Sequence, residues 1–359
     1  MDGASTPAVD GDARLSRRGD LLVVVFYALS SVLFTAIFQK STDPWSGADF
    51  AACTQTFAGY PWAHPVFRFR VLVPLVARAV AAIAPLGLRW VYWGITGLSV
   101  FGILLAYRSF LENFLRPAFA ALLSLAIIYP MIWNYTLLNK MYFPFDMPGL
   151  LLFVLGCHFI YRRNWTGYYP ILLLAALNRE TSAWIFVPIF LLTSYRHMSL
   201  GRLALHFAGQ AALWLAVKAG LYIALAGDAM PVFEPRIAFN WNTVYHMLVF
   251  RGYGPRDWVK LGLSFGGLWW TFPWVLRRSQ PAFVKRALPV VALYVAAVFV
   301  GGTFDEVRVY GEFIPLLLTP VLFVVAGSLG GTRPAGAFDL LAPGRRWFGR
   351  AGGAPDLPS

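Results

Sequence analysis

The residues able to do chemistry in this sequence are few, and they gather in a handful of stretches. Asp43 and Asp49 stand in the polar stretch 40–65, which leads into 66–86 with Arg68, Arg70 and Arg78. The stretch 134–147 carries Asn139, Lys140 and Asp146, and 303–313 carries Asp305, Glu306, Arg308 and Glu312. Between them, Asn178, Arg179 and Glu180 interrupt an otherwise apolar run, and 227–259 adds Asp228, Glu234, Arg236, His246, Arg251 and Asp257. Ionisable groups within or near a bilayer are costly, so each marks either a functional site or a structural pair. Asp43, Asp49 and Asp146 carry the oxygen ligands that Mg²⁺ or Mn²⁺ prefers, although their spacing leaves a metal open.

Bland alternatives exist for each group. Asp43 and Asp49 fit solvated loop acids, Arg68 and Arg70 fit lipid-headgroup anchors, and Arg308 fits a salt bridge with Glu306 or Glu312. Arg179 and Glu180 could simply tie two helices together, and Lys218, midway in 203–226, suits a structural partner of an acid. Cys53 and Cys157 lack metal or redox spacing, and His64 and His246 lack the spacing of metal ligands. No catalytic triad, Walker loop or GxGxxG turn is present, which argues against a nucleotide-driven pump.

The composition dictates what positions these groups. Of 359 residues, 58% are hydrophobic and 13% charged, against about 25% charged in a soluble domain. That excludes an ordinary soluble protein and a disordered one. A transmembrane helix takes about 20 apolar residues, and 21–39 meets this behind a basic tail, as a retained signal anchor. Further spans are expected at 90–107, 117–133, 147–161, 203–226, 260–276, 287–303 and 313–328, with 168–195 as two short helices meeting inside the membrane at Asn178–Glu180. The fold class is therefore all-α, a polytopic protein of about ten membrane helices. Its regions are a cytoplasmic tail (1–20), a membrane domain (21–328) and a flexible cytoplasmic tail (329–359).

The stretch 66–86 is long enough to cross, yet three arginines and Pro74 oppose it. Laid at the outer interface as an amphipathic helix, it puts most Lys and Arg on the cytoplasmic side. The net charge of +13 is then mainly topology, and no nucleic-acid partner is expected.

The run GADFAACTQTFAGYPW followed by FRFRVLVPLV, with Asp146 after the third span and EVRVYGEFIPLL before the last, resembles the GT-C membrane glycosyltransferases. Within them it is similar to polyprenol-phosphate-mannose-dependent and protein O-mannosyltransferases. Cys53 and Thr54 replace a tyrosine pair expected there, and FRFRVLVP replaces a YPP core. The resemblance implies transfer of a sugar, hexose or pentose, from a polyprenyl-phosphate donor to a glycan, lipid or protein acceptor. It also implies a bacterial inner-membrane location, membrane-lipid partners and an extracytoplasmic active face. Asp49, or Asp43, becomes the general base. Arg308, with Arg68, Arg70, Arg179 and Lys140 in reserve, neutralises the donor phosphate, supported by Asp146, Glu180, Asn178, Glu306 and Glu312. The main rival is a polytopic transporter or lipid-linked-glycan flippase, against which the absence of an internal repeat counts. An O-acyltransferase would want a placed intramembrane histidine, and His158 lacks polar neighbours in sequence.

Overall fold

The computed structural model describes residues 9–55, 69–84, 86–138, 142–225, 236–249, 255–302 and 306–332. Within these ranges, the side chains of 9–18, 43–55, 180, 182, 183, 225 and 255–257 are set aside. Among the described residues every regular element is helical, and an isolated bridge joins Leu115 to Thr332. Six helices are long and apolar enough to cross a membrane, which makes this a helical membrane protein.

The first helix, α1, runs Val9–Gln55, with Gly19–Thr42 its membrane-length part. Its buried residues Tyr27, Ser31, Phe34, Thr35 and Phe38 recur at helical spacing on one face, while Leu21, Leu22, Leu29 and Leu33 point outward. That face packs on α3 (Leu88–Leu111). Ser31 Oγ donates to the Gly97 carbonyl at 2.5 Å, and Tyr27 donates to the Ala121 carbonyl at 2.7 Å. Small residues and short hydroxyl bonds take over between apolar helices, because lipid offers no hydrophobic drive to pair them. The expected loop over 40–65 begins instead as helix, since α1 continues without a break to Gln55. Between Lys40 and Gln55, Pro44 and Gly47 oppose helix, yet the helix runs through both.

Helix α2 (Leu72–Ile83) occupies the ambiguous 66–86 stretch. With about 1.5 Å rise per residue it covers about 18 Å, short of the about 30 Å hydrocarbon core, as an interfacial helix would. Val73, Pro74 and Ala77 face inward, and Leu75, Val76 and Ile83 outward.

Next come α4 (Pro117–Leu137), α5 (Asp146–Arg162), α6 (Trp165–Asn178), α7 (Glu180–Ser194) and α8 (Leu200–Leu225). Helix α5 is central and packs against α3, α6 and α7. It packs closely on α7 at Gly156, where a Cβ would run into the ring of buried Phe186. Phe186 is itself stacked on Phe153 at 5.7 Å and has nowhere to go. Gly156→Ala is expected to cost about 1–3 kcal/mol by overpacking, read as a lowered Tm in detergent; an unchanged Tm would show that the helices separate freely.

The expected two-helix break at LNRET is present. Helix α6 ends at Asn178, Arg179 is extended (φ −159°, ψ 126°), and α7 begins at Glu180. The expected span 260–276 is not continuous: α9 (Ile237–Leu248) and α10 (Pro255–Gly262) are followed by a 3₁₀ segment, Ser264–Thr271, and α11 (Phe272–Leu276). Phe265, Gly266 and Gly267 all have positive φ there. Glycine accepts this conformation without penalty. Phe265 is held in it by the buried Asn134, whose Oδ1 accepts from the Phe265 backbone N–H at 2.6 Å. Helix α12 (Ala282–Gly301) and α13 (Val307–Ser328) are the last helices among the described residues, and every residue from 307 to 320 is buried.

Candidate functional site

Four separate segments deliver charge to one buried place. The turn before α2 brings Arg70, the start of α5 brings Asp146, the α6–α7 break brings Arg179, and the 3₁₀ turn Val307–Phe313 opening α13 brings Arg308 and Glu312. Contacts with other segments fix the local shapes. Arg179 is extended although its N–H still bonds to the Ala175 carbonyl at 2.8 Å, and the Leu177 carbonyl, with its helical continuation ended, accepts from the Val71 N–H at 3.0 Å. Asn178 Nδ2 donates to the Phe145 carbonyl at 3.0 Å, which fastens the break to the start of α5. Gly149 gives it room, because a Cβ there would press on Asn178 Nδ2 at 3.1 Å.

The ion pairs interlock. Arg308 Nη1 lies 3.4 Å from Asp146 Oδ2, and its Nε donates to Glu306 Oε1 at 2.8 Å. Arg179 Nη1 lies 3.5 Å from Glu312 Oε1 and 3.9 Å from Asp146 Oδ1. Arg308 therefore pairs with Glu306 and Asp146, whereas Glu312, a sequence candidate for Arg308, serves Arg179 instead. Arg179 meets Glu312 and Asp146, while the alternative Arg179–Glu180 tie falls on a side chain outside the described set. Two rings complete the floor: Arg308 Cζ stands 3.3 Å from the Phe143 ring centre and Arg70 Cζ 4.4 Å from that of Phe145, both within cation–π range. Among the described residues three arginines and three carboxylates meet here, and pairing of opposite charges is what offsets their desolvation in a low-dielectric interior.

Burial alone would raise the Glu306 carboxyl, but Arg308, with Arg179 and Arg70 behind it, holds it below the ordinary range. Glu306 thus stays ionised and keeps Arg308 oriented. Asp146 Oδ1, Asn178 Oδ1 and Arg179 Nε form no hydrogen bond among the described residues, although all three residues are buried. Buried polar atoms are normally satisfied, so these three carry bonding capacity that the described residues do not use.

Seven sequence candidates meet here: Arg70, Asp146, Asn178, Arg179, Glu306, Arg308 and Glu312. Arg68 and Lys140 lie outside the described residues, as does Asp305. Asp43, Asp49 and Glu180 have described backbone, within α1 and at the start of α7, but their side chains do not belong to the described set. Sequence reasoning missed Phe143 and Phe145, which are ordinary aromatics in an aromatic-rich chain, and Tyr135, placed by a π-helical turn at Trp133–Leu137. Such single π turns often sit at functional sites. Tyr135 closes against Gly311, where any Cβ would meet its hydroxyl.

For a divalent metal the fit is poor at Asp146, which is shared between two guanidinium groups. Among the described residues no group of three or more His, Cys, Asp and Glu is placed to hold an ion. His158 is buried and contacts Asn113 Nδ2 through Nδ1 at 3.5 Å. It sits about 18 Å along α5 from Asp146 at the usual helical rise.

An apolar cavity of about 900 Å³, walled by Trp258, Trp269, Trp270 and Val295, reaches Tyr310 on the turn that carries Arg308 and Glu312. The fold and site together define a helical membrane protein with a buried arginine–carboxylate cluster and an apolar cavity. Comparison with protein families, with characterised proteins and with solved structures finds no match for this chain.

Proposed function

We propose that the protein is a membrane glycosyltransferase of the GT-C type, moving a sugar from a polyprenyl-phosphate donor to a glycan, lipid or protein acceptor. The observation that carries the reading is the convergence of Arg70, Arg179 and Arg308 with Asp146 from four distant segments. Guanidinium groups fixed in a water-poor site suit a leaving phosphate, because they need no reorganisation as charge builds on it. The Trp-lined cavity suits the first units of an isoprenoid chain.

In this reaction the acceptor hydroxyl attacks the anomeric carbon as Asp49 accepts its proton. The bond from that carbon to the phosphate oxygen breaks, the electron pair leaves with the phosphate, and the configuration inverts. Arg308, aimed by Glu306 and Asp146, receives the charge. Asp43 is the alternative base. The six membrane-length helices and the shorter ones make about ten membrane helices, with α2 at the interface, the amino terminus cytoplasmic and the cluster on the extracytoplasmic side of a bacterial inner membrane.

The test is incubation of the purified protein in lipid with a panel of radiolabelled polyprenyl-phosphate sugars. Transfer or release of label from one donor is expected, and no turnover of any donor, with transport of one instead, would favour the flippase. Asp49→Asn is expected to abolish transfer, by at least about 10²-fold for a lost general base, with the far-ultraviolet circular dichroism unchanged. Full activity in that variant would transfer the role to Asp43.

A further inference from the structure

Helix α7 leads away from the arginine–carboxylate cluster. It starts at Glu180, next to the cluster residue Arg179, and ends at Ser194, about 22 Å further on at about 1.5 Å per residue. There the chain meets the first turns of α12. Charge in the two segments that meet here is one-sided. No Asp or Glu stands between Glu180 and Asp228 or between Asp257 and Asp305, whereas Arg196, Arg202, Arg277, Arg278, Lys285 and Arg286 stand there.

Tyr195, the residue that follows α7, gathers two of these cations. Arg196 Cζ stands 5.5 Å and Arg286 Cζ 5.8 Å from the centre of its ring, both within cation–π range. The Tyr195 hydroxyl accepts from Arg196 Nε at 2.8 Å, which leaves its own proton to be donated. Arg286 Nη1 lies 3.3 Å from His197 Nε2, a contact in which neutral imidazole is the acceptor. Neither arginine enters an ion pair among the described residues. Water solvates an exposed arginine well, so cost is not the signal here. Convergence is: two like charges from separate elements lean on one ring, and every group they bring with the phenol is a donor. Such a set suits an anion.

The helices that carry the site set its level. Both α8 and α12 are membrane-length, and Arg286 lies about 6 Å inside the start of α12 at the usual rise, while Tyr195 precedes the start of α8 at Leu200. Ends of crossing helices are where headgroups lie and where tyrosine collects. Beside them α8 exposes Leu200 and Leu205, an apolar face on which acyl chains can rest. We infer that Tyr195, Arg196 and Arg286 bind the phosphate of an anionic phospholipid headgroup. The site is independent of the glycosyltransferase reading. A guanidinium fork matches two phosphate oxygens, and the phenol donates to a third. Anionic lipid is favoured because the ammonium of a zwitterionic headgroup would meet the same arginines.

The experiment uses the full chain, delipidated in detergent, with dioleoylphosphatidylglycerol, dioleoylphosphatidylcholine and inorganic phosphate as probes and bound molecules counted by native mass spectrometry. One tightly held phosphatidylglycerol is expected. Arg196→Gln and Arg286→Gln should each weaken it about fivefold, the contribution of one cation at a membrane surface, and Tyr195→Phe about threefold for one hydrogen bond. Arg286→Lys keeps the charge but not the fork, and should fall between wild type and Arg286→Gln. Arg278, whose Cζ lies 5.6 Å from the Trp274 ring centre instead, is the control. Arg278→Gln should change the affinity by less than about twofold. An equal loss in Arg278→Gln would reduce the site to a diffuse basic surface and overturn the inference, as would unchanged binding in the Arg196→Gln, Arg286→Gln double variant. Equal affinity for phosphatidylcholine overturns the preference for an anionic headgroup, and equal affinity for inorganic phosphate overturns the lipid.

Discussion

Arg308→Lys is expected to leave the protein folded and to lower sugar transfer by about 10²–10³, the usual effect of removing one fixed donor from a developing anion. Charge is conserved, so the balance with Asp146 and Glu306 survives. Geometry is not. Arg308 now spans Asp146 on one side and Glu306 on the other while its Cζ stands over Phe143, and a lysine lacks the fork to do all three. Initial rates over a range of donor concentrations separate the possibilities. A fall in kcat assigns Arg308 to the transition state, a rise in KM alone assigns it to ground-state binding, and unchanged kinetics would leave only a salt bridge.

How much of this could be read in the sequence differs by level. The membrane character was written in the composition, and the α6–α7 break at Arg179 in two apolar runs too short to cross on either side of LNRET. Arg70, Asp146, Arg179 and Arg308 stood out because charge is rare in this chain, so rarity served as the signal. Their partners did not stand out. Which acid meets which arginine depends on the 3₁₀ turn Val307–Phe313 and on the Asn178–Phe145 bond, both products of tertiary packing. Residues 260–276 looked like a span because apolar content carries no trace of φ, and only the Gly266–Gly267 pair hinted at the break. The helix over 40–55 was misjudged for the opposite reason, since polar residues and one proline suggest a loop while leaving helix accessible. The functional assignment of Asp49 draws on resemblance in its D-F context, and it stands or falls with Asp49→Asn.

Asp146→Ala carries the largest expected effect on stability, and it separates a structural cluster from a working one. Asp146 is the shared acid, 3.4 Å from Arg308 and 3.9 Å from Arg179, so its loss leaves two buried guanidinium groups short of a counter-charge. Breaking a buried pair from one side costs about 3–5 kcal/mol, seen as a steep fall in Tm and in yield of monodisperse protein in detergent. Replacing both partners is different. Asp146→Leu combined with Arg308→Met removes opposite charges together, and apolar replacement of a whole buried pair is often neutral or stabilising. Arg179 keeps Glu312, and Glu306, with 30% of its side chain exposed, can turn to water. The double variant is therefore expected to regain most of the lost Tm. A cluster kept only for packing would regain its activity as well. One kept for phosphate would not, because the folded protein would have lost both the receiving arginine and the acid that aims it, and transfer by the restored double variant would end the case for a catalytic role.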